Sequence, residues 1–273
     1  MVVSSPDRVL QALTRAGIIQ ELQFRIGTFI TVLGNLIYLT LVYFLWRSIC
    51  ASSPTPVVNG MTFNDTIIYL VLATALFNFL EMYLVWNISR KIQSGEIVMD
   101  LLKPMSYRKL MFFTFFGDNI TTFFLTFLPT FIVVFILTKG AIPVGTNLIW
   151  FVISVGGALL VNYFIDFFVS TISLYTESTW GINIVKESIV LLFSGATIPL
   201  VFFPEKLRVV VKCLPFRCIY DTPLNILLQK DGYTPGSGMW TMLGLQLVWC
   251  VALCALTGIF WNFSVRRITV NGG

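Results

Sequence analysis

The chain has 273 residues, 56% of them hydrophobic and 15% aromatic, with a mean hydropathy of +0.84. Only 11% are charged, against roughly 25% in soluble domains, so most of its surface suits lipid better than water. Histidine is absent, which excludes Ser-His-Asp hydrolysis and His-ligated zinc or haem, and the five cysteines contain no Cys-x-x-Cys pair.

In chain order, residues 8–25 come first. Val9, Leu13, Ala16 and Ile19 recur at helical spacing while Arg8, Gln11 and Arg15 share another face, the pattern of an interfacial helix on the inner leaflet. A plain polar tail is the alternative. No small-residue cleavage site follows a short apolar core, so no cleavable signal peptide is expected. Six stretches then reach the roughly 20 apolar residues that a bilayer core about 30 Å thick requires. They cover about 26–46, 64–87, 110–138, 147–173, 183–203 and 239–263. The expected fold is therefore an all-α polytopic membrane protein with six transmembrane helices in a single transmembrane domain, 1–273.

Two connecting segments differ from ordinary loops. The inner one, 88–104 within the polar stretch 88–109, is too polar to span, yet Ile92, Ile97, Val98, Leu101 and Leu102 give it an apolar face; Pro104 ends any helix there. The outer one, 204–238, holds two apolar pieces broken by Pro215 and Pro223, each too short to cross. They fit a re-entrant or interfacial hairpin, or else a lid over the outer mouth. Eleven of the 18 Lys and Arg fall in the segments placed inside, Lys186 among them, so both termini are expected in the cytosol. The net charge of +5 then reflects membrane orientation, and no nucleic-acid partner is expected.

Few residues offer chemistry. The dipeptide Gly-Lys does not occur, so no phosphate-binding loop can be written and the chain is expected not to be an ATPase by itself. No catalytic, cofactor or metal residues are expected. Glu81, Asp118 and Asp166 stand out as acids inside spans, all placed in the inner third of the bilayer. Each costs about 2.5–3.5 kcal/mol to insert and should face water or a partner such as Arg90, Arg108 or Lys109. They line a pathway or make contacts between helices. Pro129 bends the third span, and Gly195, Pro199 and Pro204 break the fifth, as a hinge or a fixed kink. Cys213 and Cys218, with four residues between them on the outer side, read as two free thiols in preference to a disulfide.

Two stretches resemble a known family. ISRKIQSGEIVMDLLKP at 88–104 is similar to the inner-loop pattern of ABC-2 permeases, and FSGATIPLVFFP at 193–204 to the break in their fifth span. The layout of nearly the whole chain also resembles the membrane subunit of a type-2 ABC exporter, in the subgroup where two related permeases share a separately encoded ATPase. The resemblance implies an export pathway formed by two permease subunits, identical or related, in the cell (inner or plasma) membrane. Two copies of a cytosolic ABC ATPase would carry the ATP and Mg. The 89–102 helix would then be the coupling helix, with Arg90, Lys91, Gly95, Glu96, Ile97, Asp100, Leu101 and Lys103 as its ATPase-facing set. Ile97, Val98 and Leu101 would be its exposed anchor. The alternative is a proton-coupled secondary transporter using Glu81, Asp118 and Asp166.

Overall fold

The computed structural model describes residues 6–23, 25–52, 57–140, 142–176, 179–230, 233 and 237–267. Residues 231–232 and 234–236 of the expected outer hairpin, and residue 24 of the expected N-terminal helix, lie outside them. Helices dominate, and the first two are α1 (Pro6–Gln23) and α2 (Arg25–Ala51). A hairpin follows, β1 (Val57–Val58) and β2 (Met61–Thr62), turned at Asn59-Gly60, an Asn-Gly pair suited to the two left-handed residues of a tight turn.

The second apolar stretch starts with a capping box. The Asp65 amide donates to the Thr62 hydroxyl at 3.2 Å, and the Thr62 amide donates to the Asp65 carboxylate at 3.1 Å. This stretch is two helices, α3 (Phe63–Leu80) and α4 (Leu84–Gln93), separated by Glu81, Met82 and Tyr83. The short α5 (Ile97–Leu101) follows. The third stretch begins as α6 (Tyr107–Thr122), loosens into one π turn over Phe123–Phe127, and continues as α7 (Leu128–Leu137). Pro129 sits just after that turn; a proline donates no amide hydrogen bond and crowds the preceding carbonyl, so the turn ahead of it widens.

The fourth is α8 (Asn147–Ile172), the fifth α9 (Thr179–Phe193) and the last α12 (Ser237–Ser264). Among the described residues five helical stretches are long and apolar enough to cross a membrane: Leu33–Ala51, Phe63–Gln93 (α3 and α4 together), Tyr107–Leu137, Asn147–Ile172 and Ser237–Ser264. The expected fifth span, 183–203, is shorter as a helix. Its α9 has 15 residues, about 22 Å of rise, and stops ten residues before Phe203. Gly195, at φ +85°, and Pro199 fall in the non-helical stretch beyond it, and a 3-10 turn covers Leu200–Phe202.

The outer segment also departs from expectation. It folds as α10 (Glu205–Cys213), a 3-10 turn at Pro215–Cys218, and α11 (Asp221–Leu228). Pro223 does not break the second piece, because it occupies the first turn of α11, where no amide donor is required. Every residue of α11 is buried, packed mainly against α8. The Asp221 amide donates to the Ser194 carbonyl at 3.0 Å, and Arg217 pairs with Asp221 at 2.9 Å, so the hairpin is stitched to the end of α9. All five cysteines are free; Cys213 is exposed and Cys218 buried.

The N-terminal helix packs along α6. At the crossing, Gly17 faces Gly117, and a Cβ on Gly117 would overlap the Thr14 carbonyl oxygen. A pair of small residues lets two backbones approach this closely. Gly117→Val is accordingly expected to force α1 off α6, at a cost of about 1–3 kcal/mol. Trypsin cleavage at Arg15 of the detergent-purified protein reads this out: it should accelerate in the variant, and an unchanged cleavage rate would contradict the packing.

Candidate functional site

The break between α3 and α4 is the centre of the site. A helix end leaves carbonyls without amide partners, and in a membrane no water is at hand to supply them. Two asparagines from neighbouring spans do so here. Asn119 of α6 donates to the Phe79 carbonyl, and Asn162 of α8 donates to the Leu80 carbonyl at 2.8 Å. Both are buried. Glu81 follows directly in an extended conformation, its own amide donating to Phe77 at 2.9 Å.

Glu81 stands on the wall between two cavities. The larger, about 400 Å³, is lined by Glu81, Asp118, Asn119, Arg90, Trp86 and Asn87 among others. The smaller recess has Glu81, Asp166, Asn162, Asn183, Lys186 and Glu187 on its walls. The three acids are therefore not one cluster. Glu81 and Asp118 share the large cavity, whereas Glu81 and Asp166 share the recess. Arg90, placed on the coupling face by sequence, lines the large cavity instead.

The partner of Asp166 is Lys186, at 2.9 Å, and not Arg90, Arg108 or Lys109. The Asp166 carboxylate is 1% exposed and Lys186 13%. Glu187, on the next residue, accepts from Asn183 at 2.5 Å. The charge pattern places Lys186 with the inner segments, but both it and Glu187 lie in α9, inside the expected fifth span. Their signal is the spacing Asn183-x-x-Lys186-Glu187, polar residues three and four apart on one helical face of α9. Asn119 and Asn162 were missed because a lone asparagine in an apolar run carries no motif.

Below the break, α4 leads to the segment expected to couple. Its last turn carries Arg90 and Lys91, cations favourably placed at a helix C-terminus. The Ser89 and Thr179 hydroxyls meet at 2.6 Å, tying α4 to the start of α9. The expected single helix over 89–102 is in fact two, bent at Gly95, whose φ of +76° suits a residue without a Cβ. Asp100 clasps the bend: one oxygen takes Lys91 at 2.7 Å from α4 and the other takes Lys103 at 2.6 Å.

The exposed face of this bend differs from the expected anchor. Ile97 is 2% exposed and packs into the core, with Val98 and Leu101 partly buried against it. The apolar side chains left outside are Met99, 69% exposed, and Leu102, 75% exposed. Glu96 is exposed beside them. A one-residue advance along the helix separates the two faces, and the inward face goes to the residues nearest the Gly95 bend.

Burial opposes the charge on Asp100, but the hydrogen bonds and charges of Lys103 and Lys91 outweigh it and hold the carboxyl below its ordinary range. A carboxyl depressed on folding adds stability above its unfolded value and loses it as pH falls through the folded one. The clasp is thus expected to persist between pH 8 and pH 5 and to open only below about pH 4. Hydrogen exchange of amides 95–103, corrected for intrinsic rate, should show constant protection from pH 8 to 5. A loss of protection by pH 5 would be incompatible with it.

The family model described as ABC-2 family transporter protein matches residues 36–272. No curated protein matches the chain.

Proposed function

The chain belongs to the ABC-2 family of transporter proteins, a membrane component of transport, and on that premise we propose that it is the permease subunit of an ATP-driven exporter. It is a multi-pass membrane protein. Two permease subunits, identical or related, form the substrate pathway, and two copies of a separate cytosolic ABC ATPase supply ATP and Mg. Both termini face the cytosol in the cell membrane. The six-span arrangement counts α9 and the turn after it as the fifth crossing, with α1 at the inner interface and α10–α11 entering from the outside.

The observation that carries this reading is the clasped bend at Gly95. A short rigid projection with Met99 and Leu102 at its tip and Glu96, Lys91 and Lys103 around it has the makeup of an interface, an apolar anchor within a polar rim. Its root is α4, which reaches the wall of both cavities through Trp86. ATP-driven closure of the ATPases would push on the projection and turn α4 beside the cavity walls. Lys103 and Asp100 serve here to stiffen the projection, with Lys91, and Ile97 and Leu101 root it in the core.

Purification in mild detergent tests the proposal. An ABC ATPase should co-elute, and ATP hydrolysis should rise when the complex is reconstituted. Transport by this chain alone under a proton gradient, with no ATPase, would overturn it. That outcome would favour the second reading, in which Glu81, Asp118 and Asp166 relay protons, a reading supported by the position of Glu81 between the two cavities.

A further inference from the structure

Away from the cavities around Glu81, a third pocket of about 240 Å³ opens among α6, α8 and α12. Phe112, Phe113, Leu160 and Phe164 make its apolar walls, and Tyr163 closes the back, edge-on to Phe112 at 5.1 Å. Arg108, Lys109 and Ser106, at the start of α6, also line the pocket. Among the described residues neither Arg108 nor Lys109 forms an ion pair with an acid.

Arg108, half-buried, is held against α12. Its guanidinium lies against the α12 backbone, where a Cβ on Gly258 would come within 2.9 Å of it. One of its N–H groups donates to the Cys254 carbonyl at 3.1 Å. Cys254 sits ten residues before the end of α12, about 15 Å along the helix. The Tyr163 hydroxyl donates to the Arg108 carbonyl at 2.6 Å and fixes the backbone that presents the side chain. Arg108 and Lys109 both lie in the first turn of α6, whose end carries partial positive charge, and both line the pocket.

A pair of cations without acids, set over aromatic walls on a membrane-spanning surface, fits a ligand with an anionic head and an apolar tail. We propose that this pocket binds an anionic phospholipid, its phosphate on Arg108 and Lys109 and the proximal part of one acyl chain against Phe112, Phe113 and Phe164. The pocket is too small for a whole lipid, so it grips the head and first carbons while the chains stay in the bilayer. Basic pockets between spanning helices recognise such head groups through this combination. The proposal does not depend on the ATPase or on the direction of transport.

Native mass spectrometry of the full chain, with its co-eluting subunits where present, tests it in detergent supplemented with dioleoylphosphatidylglycerol or dioleoylphosphatidylcholine. The wild type should retain phosphatidylglycerol in preference, and millimolar inorganic phosphate should not displace it. Arg108→Gln with Lys109→Gln should lower that preference roughly thirtyfold, about fivefold for each basic contact. Equal retention of the two lipids by the wild type, undiminished preference in the variant, or displacement by phosphate would overturn the proposal. Should the double variant not fold, a Phe113→Trp variant provides the second measurement. Chain-brominated phosphatidylglycerol should quench its added fluorescence more strongly than brominated phosphatidylcholine, and equal quenching would also overturn it.

Discussion

Lys186→Met is expected to be the most destabilising single change in the bundle. It leaves the Asp166 carboxylate, 1% exposed, without the ammonium 2.9 Å away that balances it. Breaking a buried pair by removing one partner costs about 3–5 kcal/mol, because the survivor keeps its desolvation penalty and loses its attraction. In a thermal-unfolding assay in detergent this corresponds to a midpoint lowered by roughly 10 °C. The companion change separates loss of the pair from loss of packing. Lys186→Met with Asp166→Leu removes both charges and should recover most of the stability, since a buried pair is often neutral against apolar residues of similar volume. A single variant as stable as the wild type would show that Asp166 draws its support from elsewhere.

The second large effect concerns the projection. Leu102→Asp places a charge on the most exposed apolar side chain of the clasped bend, which touches little of its own chain. Folding and membrane insertion should be unaffected, while the affinity for the ATPase falls. Truncation or charging of a central anchor costs about 2 kcal/mol or more, roughly thirtyfold in affinity. Co-purification of the ATPase should drop accordingly, and substrate-stimulated ATP hydrolysis with it. Ile97→Asp is the informative contrast, because Ile97 is buried in the core and its replacement should lower stability first. If Leu102→Asp retains full stimulated hydrolysis and Ile97→Asp loses it without unfolding, the projection meets its partner by the opposite face.

The comparison of those two residues shows where sequence reading succeeds and where it stops. Long uninterrupted spans were legible: 147–173 corresponds to α8, Asn147–Ile172, and 239–263 to α12, Ser237–Ser264. Length and apolarity determine them, and both are written in consecutive residues. The break at Glu81 was not legible, because hydropathy averaged over a window absorbs one acid and three non-helical residues. What makes the break tolerable is the pair Asn119 and Asn162, 38 and 81 positions further along. No local pattern links them to Glu81.

The same limit applies to the candidate site. Glu81, Asp118 and Asp166 were visible as acids in apolar runs, but their partition between two cavities depends on how α6, α8 and α9 surround α3 and α4. Lys186 was visible as a letter and assigned to an inner segment, since a lone cation near the end of an apolar run reads as a flanking charge, whereas it lies mid-helix in α9, Thr179–Phe193. Within residues 89–102 an apolar face was legible, but which apolar residues point outward was not. Gly95 bends the chain by a positive φ, and this rotates every later side chain relative to the helix before it.

The two asparagine amides at the broken span also constrain how the molecule can move. They belong to α6 and α8, so the C-terminal carbonyls of α3 are bound to two other spans at once. On the far side of Glu81, α4 is held differently, through Ser89 to Thr179 on α9. Straightening the span into one continuous helix would displace both amides from the carbonyls they now satisfy. Residues 81–83 therefore divide the span into a half bonded to α6 and α8 through its terminal carbonyls and a half that packs on α8 and is hydrogen-bonded to α9.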